Sequence, residues 1–577
     1  MKKSYIAILA IAVFVSSCFK ETGENGGGIK PPVNGNTDDG IAIGAYPAGD
    51  MPEAINLSAD GRRLVTWLDS PQGVYDFDEI KRIDLTFSEP DWQTVLEQNF
   101  GTGTSLRATM SYDGVKVPDA VGVRYRGSIG SATGKESFRV EADFVNPKQD
   151  VGGYSTFILS NANKDESMMR AALFSHFGRK YIPMACVNYV DLYINDSYWG
   201  LYVNVQHLNN AWTKEWFLSR NGSRWRAEPD ESLGLEDAGA GKSSLNYLGD
   251  DSTAYNKYYD LKKCYKDDPW SDLIGACRIL NRFSGEQLAD TVRHYIDVDR
   301  TLWFLALENV FQDKDGYVNK GGTDYYVIWE SETGRIVPVE YDGGEALKTS
   351  NADGQSSVKG MWRPMFRNDD ERYALSNKLL SVPSLRERYY AHYRTVLSET
   401  FNPSTIGAAV DAFDAKIGAK VEADPKKNFT YAEYGAELTK IKNFVAQRYG
   451  YLSSLPEILA SGAGIEDVKW WAGDRLYGAP SSSDSVCVNV EVSGDAAEVN
   501  IYLATGVVGN FSRFEMADDG LHQDVNPADG VYGFVIPAKK KGERLRFYIE
   551  TVASDAAGTR TYSPAGAEHD VYTYEVE

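Results

Sequence analysis

The carboxylates Asp313, Asp315 and Asp342 are spaced so that one loop-rich edge could gather them. They fall in LWFLALENVFQDKDGYVNKGGTDYYVIWESETGRIVPVEYDGGEAL, residues 302–347. Clustered carboxylates repel one another unless a proton or cation lies between them, and hard oxygen ligands suit Mg²⁺ or Mn²⁺. Such a set suits phosphoryl transfer, in which one Asp orients a hydroxyl nucleophile and another holds the metal that neutralises the phosphates. The same residues also read as plain turn chemistry, because Asp-Gly and Gly-Gly pairs make ordinary hairpins.

The elements that must position them are legible around them. An apolar helical run from Leu302 ends at Asp313, and a Gly-Gly turn leads into a strand. A turn at Glu332–Gly334 and a second strand, Arg335–Val339, then deliver Asp342 into the corner Asp342-Gly343-Gly344. Upstream, period-two patterns predict strands over 80–87, 105–112, 121–126, 137–143 and 154–159. Asp165–Arg179 reads as a helix with an acidic first turn, and Val187–Ile194 with Gly200–Val205 as a hairpin turned at Asn195-Asp196. Helices are predicted over 270–311 and 373–455. The order predicts an α+β body of two lobes, a β-rich N-lobe and an α-rich C-lobe, with a ligand cleft between them.

The ends differ from this body. Met1-Lys2-Lys3, the apolar Tyr5–Val15 and Val15-Ser16-Ser17-Cys18 make a lipoprotein signal over 1–17, with Cys18 as the lipidated mature N-terminus. A plain signal peptide cut near Ser17 is the other reading. Residues 18–70 read as a flexible tether, Gly-, Asn- and Pro-rich at its start. Lys20-Glu21 resembles in part the export signals of Bacteroidetes surface lipoproteins. The expected location is thus an outer membrane, on its periplasmic or cell-surface face. At the other end, Ser461–Ser485 looks like a linker, and 465–577 is set apart as an all-β sandwich from runs such as VCVNVEV and LRFYIETVA. Its Asp518-Asp519-Gly520, Asp524 and Asp529-Gly530 read either as turns or as a Ca²⁺ site, although their spacing is not that of an EF-hand.

Composition narrows the partners. A formal net charge of −22 over 577 residues argues against nucleic acid, whose binding is driven by basic patches. Of five cysteines, Cys186, Cys264, Cys277 and Cys487 remain beyond Cys18, with no zinc-site spacing. They read as buried thiols, with a Cys264–Cys277 bridge as the alternative. Gly-x-Ser-x-Gly, His-Glu-x-x-His and Walker signatures are absent from the sequence.

Four landmarks, in order, give a resemblance. They are Val123–Ser128 with Lys135–Phe138, Leu159–Arg170 (LSNANKDESMMR), Asp191–Tyr202 (DLYINDSYWGLY) and the 302–347 segment. Together they resemble the spore-coat protein H (CotH) kinases, atypical kinases that move phosphate from ATP to Ser or Thr, over 76–455. The resemblance implies that Asp315 orients the substrate hydroxyl and that Asp342, with Asp324, binds Mg²⁺ or Mn²⁺. It implies phosphate-facing roles for Lys135, Arg124, Arg126 and Arg226. It also exposes departures: Gln206, Asp324, Gly344 and Arg226 stand where the family has Glu, Asn, Asp and Lys. Two functions follow, an ATP-dependent kinase acting on surface proteins, or a weakly active kinase-fold lipoprotein that binds a protein or glycan.

Overall fold

The computed structural model describes residues 35–47, 49–68, 73–228, 241–522, 524 and 526–577. Cys18 and the signal segment lie outside the described residues.

An eight-stranded sheet forms the β-rich part. Its order is Lys81–Thr86, Val187–Ile194, Ser197–Gln206, Thr156–Ser160, Ser137–Glu141, Val121–Arg126, Leu106–Tyr112, Val115–Lys116. Lys81–Thr86 also pairs with Leu106–Tyr112, so the sheet closes on itself. The alternation in the sequence explains the closure: Phe138 and Val140 point into a shared core with Ile83, Val123, Leu159, Leu192 and Tyr202, while Arg139 and Glu141 stay half-buried.

The α-rich part is built on Val298–Phe311, whose residues are all buried except Arg300. A helix apolar nearly all round must be enclosed on all sides. It packs against Pro383–Glu399 and against a four-stranded antiparallel sheet ordered Tyr259–Lys263, Gly222–Ala227, Tyr325–Glu330, Arg335–Glu340. The first of these strands, Tyr259–Lys263, was not predicted. Pro403–Ala423 and Tyr431–Leu452 complete the helical layer, started by an Asn402 cap and a Thr430/Glu433 capping box.

The α+β class and the terminal β-sandwich agree with the sequence. Several boundaries need correction. The helix expected over 165–179 runs only Arg170–Gly178, because Asp165 folds back to accept the Ser167 and Arg170 amides. The linker over 461–485 contains a core strand: Gly464–Ala472 pairs with Val486–Ser493 and puts Trp470 into the sandwich core. The tether over 18–70 is also corrected where it is described. Ile55–Leu57 and Arg63–Thr66 enter the seven-stranded sheet, Arg63–Thr66 pairing with Asp570–Glu575, and Ala42 and Ala45 bridge to Ala504 and Val508. An Asp39–Lys539 ion pair holds the same segment. Cys186 and Cys277 are buried free thiols, so Cys277 forms no bridge with Cys264.

The sandwich is joined to the helical layer through polar contacts. Asp299 accepts hydrogen bonds from Arg388 Nε, His392 Nε2 and the Glu568 amide, each at 2.8 Å. Arg388 also donates to Tyr548 Oη at 3.0 Å and pairs with Glu568 at 3.2 Å. Among the described residues, no helix is long and apolar enough to cross a membrane.

Candidate functional site

Asp313, Asp315, Asp324 and Asp342 come from three pieces of backbone that meet at one end of the four-stranded sheet. Val298–Phe311 ends at Gln312 in the left-handed region (φ 52°), which turns the chain sharply into Asp313. Asp313 is fully buried, and its Oδ1 accepts the Asp315 amide at 3.1 Å, fixing the backbone that carries Asp315. Asp324 (φ 59°) precedes Tyr325–Glu330 and Asp342 (φ 69°) follows Arg335–Glu340. Non-glycine residues at positive φ are costly and gather where a site requires them. Gly316 is required for a different reason: a Cβ there would lie 2.8 Å from the Glu308 carboxyl carbon. Gly343 has Phe174 where its Cβ would be, at 2.3 Å.

Charges complete the cleft. Lys320 lies between two of its carboxylates, 2.7 Å from Asp315 and 3.4 Å from Asp324. Arg226 reaches Asp324 at 3.5 Å and lies over the Tyr341 ring at 5.0 Å. Arg126 donates to Tyr341 Oη at 2.8 Å. Desolvation against the cleft wall raises the Asp342 pKa. The Arg126 charge opposes this, and the Asp324 and Asp315 charges add to it. Asp342 itself remains open to solvent. Hard oxygens beside guanidinium groups form a donor set that fits a divalent ion and phosphate oxygens. The three cleft carboxylates do not already form a tight coordination cluster. Among the described residues, that spacing occurs at Asp518, Asp524 and Asp529.

Behind the cleft lies a buried acid network. Glu308 Oε1 and Oε2 accept the Tyr317 and Val318 amides at 3.1 and 2.6 Å. Glu340 is buried beside it, and the Glu308 and Asp313 charges add to burial in disfavouring its ionised form. Burial pushes Glu308 up to about 7, and drives Glu340 and Asp313 well above their ordinary range. Asp313 Oδ2 and Glu340 Oε2 are enclosed without a hydrogen-bond partner.

Two residues expected at the phosphates stand elsewhere. Lys135 is 1% exposed, and its Nζ is committed to Asp424 Oδ2 at 2.5 Å and Leu201 O at 2.8 Å. Burial lowers its pKa and Asp424 opposes that shift. The pair ties the closed sheet to the end of Pro403–Ala423. Arg124 is corrected likewise: it donates to Gly103 O at 2.8 Å and faces Glu141 at 3.4 Å. Other landmark residues also have structural partners. Arg170, 1% exposed, joins Asp165 to Glu437, and Gln206 donates to Glu215 at 2.7 Å. The 127–134 loop docks by Ser131 and Thr133 onto Asn428, at 2.9 and 2.6 Å.

Lys320, Tyr341, Glu308 and Glu340 were missed from sequence. A Glu inside the apolar run LWFLALENVF was the available signal for Glu308. A cavity of about 600 Å³ opens elsewhere, beside Arg62, Lys180, Glu399 and Tyr477, and contains none of the cleft carboxylates.

A family model described as Conditioned medium factor 2nd Ig-like domain matches residues 479–561. Invasin CotH7 of Rhizopus delemar is 25% identical over 266 residues, 46% of this chain and 43% of that protein. The chain thus spans less than half the length of that relative. An inner spore coat protein H-like protein of Bacillus subtilis is 22% identical over 304 residues, covering 52% of this chain and 81% of its own. A solved chain described as the Br derivative of BhCBM56 overlaps 20% of this chain and 88% of its own, with 16% identity and a TM-score of 0.12, too low to carry an argument. The family model described as CotH kinase protein matches residues 123–452, more than half of the chain and including every cleft residue named above. The chain belongs to the CotH kinase protein family.

Proposed function

We propose that the cleft binds a metal–nucleotide and transfers the terminal phosphoryl group of ATP to a Ser or Thr hydroxyl of an extracytoplasmic protein. The observation that carries this reading is the meeting of Asp315, Asp324 and Asp342 with Arg126 at one solvent-open edge. Asp342 and Asp324 would hold Mg²⁺ or Mn²⁺, which when bound neutralises phosphate charge. Asp315, positioned through the buried Asp313, orients the acceptor hydroxyl and takes up its proton. Arg126 and Arg226 supply donors to phosphate oxygens, with Tyr341 fixing both guanidinium groups. Through a lipid on Cys18 the protein would act at a membrane surface.

A second reading has its own support. Lys320 already pairs Asp315 and Asp324, and Gly344 and Gln206 supply no carboxylate at two family positions. An internal ammonium replacing the metal would leave a kinase-fold module that binds a protein or glycan without transfer. The test is phosphate transfer from labelled ATP to protein acceptors with Mn²⁺ or Mg²⁺. Transfer that Asp315→Ala abolishes, while nucleotide binding persists, supports the kinase. Nucleotide bound with no transfer to any acceptor supports the second reading.

A further inference from the structure

The loop joining Ser512–Glu515 to Val531–Ile536 crosses from the seven-stranded sheet of the sandwich to the four-stranded one. One carboxylate oxygen each from Asp518, Asp524 and Asp529 lies within 4.8 Å of the other two. The backbone fixes these side chains. Asp518 Oδ1 accepts the Ala528 amide at 2.6 Å, and Oδ2 the Gly530 amide at 3.0 Å. Asp529 Oδ1 accepts the Val531 amide at 3.1 Å. Asp524 Oδ2 accepts the Gly520 amide at 2.8 Å.

Asp524 makes the group more than an acidic turn. The residue is 3% exposed, and its Oδ1 is enclosed with no hydrogen-bond partner. A buried carboxylate oxygen normally has a donor or a cation beside it. Among the described residues of this loop, His522 Nδ1 lies 3.3 Å from Asp519 and leaves Asp518, Asp524 and Asp529 aside. Turn formation explains the amide contacts of Asp518 and Asp529. It does not explain a third carboxylate brought inward with one oxygen unsatisfied.

We propose that Asp518, Asp524 and Asp529 form a Ca²⁺ site that staples the crossover between the two sheets of the sandwich. The donors are all hard oxygens, and the site lies in the sandwich, apart from the cleft carboxylates. Ca²⁺ accepts oxygens at about 2.3–2.6 Å, so its opposite ligands stand up to roughly 5 Å apart, a span that accommodates this trio without collapse. Mg²⁺ demands near-octahedral oxygens at about 2.0–2.1 Å and gives up its water reluctantly, so an irregular loop site of this kind favours Ca²⁺. Loop carbonyls and water complete the six to eight oxygens that Ca²⁺ ordinarily takes. With three carboxylates, one of them exposed, the site belongs with the weaker extracellular class, which binds at about 0.1–1 mM.

The test uses the full chain stripped with EDTA. Tb³⁺ is the first probe, because Tyr532 lies within electrostatic reach of Asp518 and can sensitise its emission. Expected is tyrosine-excited Tb³⁺ emission that Ca²⁺ displaces at millimolar concentration and equal Mg²⁺ does not, with a matching rise in Tm in CaCl₂. Asp524→Asn should weaken Ca²⁺ at least tenfold. Asp529→Asn, at an exposed position where the amide oxygen can still accept the Val531 amide, should weaken it as well. Asp342→Ala should leave the Ca²⁺ response intact, which separates this site from the cleft. No sensitised emission, an equal response to Mg²⁺, or wild-type Ca²⁺ affinity in a folded Asp529→Asn protein would each overturn the proposal.

Discussion

Glu340→Gln tests the raised carboxyl groups behind the cleft. In the wild-type protein Glu308 is raised from 4.5 to about 7, and Glu340 and Asp313 move in the same direction. A raised carboxyl means that the folded state keeps a proton the unfolded chain releases above about 4.5. Stability from this pair is therefore complete on the acid side and is lost as pH rises towards 7. At about 1.4 kcal/mol per pH unit, Glu308 alone costs about 3 kcal/mol across that window. The side-chain amide that Glu340→Gln introduces would donate to Glu308 without needing a proton, and its carbonyl can accept the Tyr341 amide that Glu340 Oε1 now accepts. Glu308 keeps its Tyr317 and Val318 amides and can ionise at a lower pH. The variant should match wild type near pH 4.5 and exceed it by about 1–3 kcal/mol at pH 7.5. The assay is urea unfolding of both proteins across this range, in EDTA and without nucleotide. A difference that does not change with pH, or a variant less stable at pH 7.5, refutes the mutual raising of the two buried carboxyls.

Three further outcomes follow from the geometry. Lys135→Ala should lose about 3–5 kcal/mol of stability by stranding Asp424, and Lys135→Met with Asp424→Leu should recover most of it; a stable Lys135→Ala protein that no longer binds nucleotide would return the lysine to the phosphates. A fragment of residues 465–577 should fail to unfold cooperatively, because it lacks the paired Arg63–Thr66 strand and the contacts of Asp299 and Arg388; a sharp thermal transition by circular dichroism would count against this. Cys18→Ser should move the protein from the membrane to the soluble fraction, and unchanged sedimentation with membranes would remove the lipid anchor.

The local pattern was legible where chemistry and period coincide. Phe138 and Val140 against Arg139 announced their strand, and the turns at Glu332–Gly334 and Asn195-Asp196 fell where expected. What escaped was non-local. Arg63 is hydrogen-bonded to Asp570 across 507 positions, and no periodicity in an Asn- and Gly-rich leader signals such a partner. Gly464–Ala472 was hidden because its alternation begins inside a Gly- and Ala-rich stretch, although Val468, Trp470 and Ala472 all face the core. In the cleft, the resemblance gave residue types but not directions. Arg124 and Arg126 share a strand, yet one faces Glu141 and the other Tyr341. Lys135 is buried against Asp424, which lies 289 positions away.

The central claim is that the edge carrying Asp342 and Asp324 holds a metal–nucleotide. Thermal unfolding with ATP, in the presence of Mg²⁺ or Mn²⁺ and in EDTA, tests it most directly. At a hundredfold excess over the dissociation constant, binding should stabilise the protein by about 2.7 kcal/mol. The account predicts that the shift requires the divalent ion, disappears in Asp342→Ala and persists in Asp315→Ala. No shift with any metal–nucleotide, or one that Asp342→Ala retains in full, would contradict it.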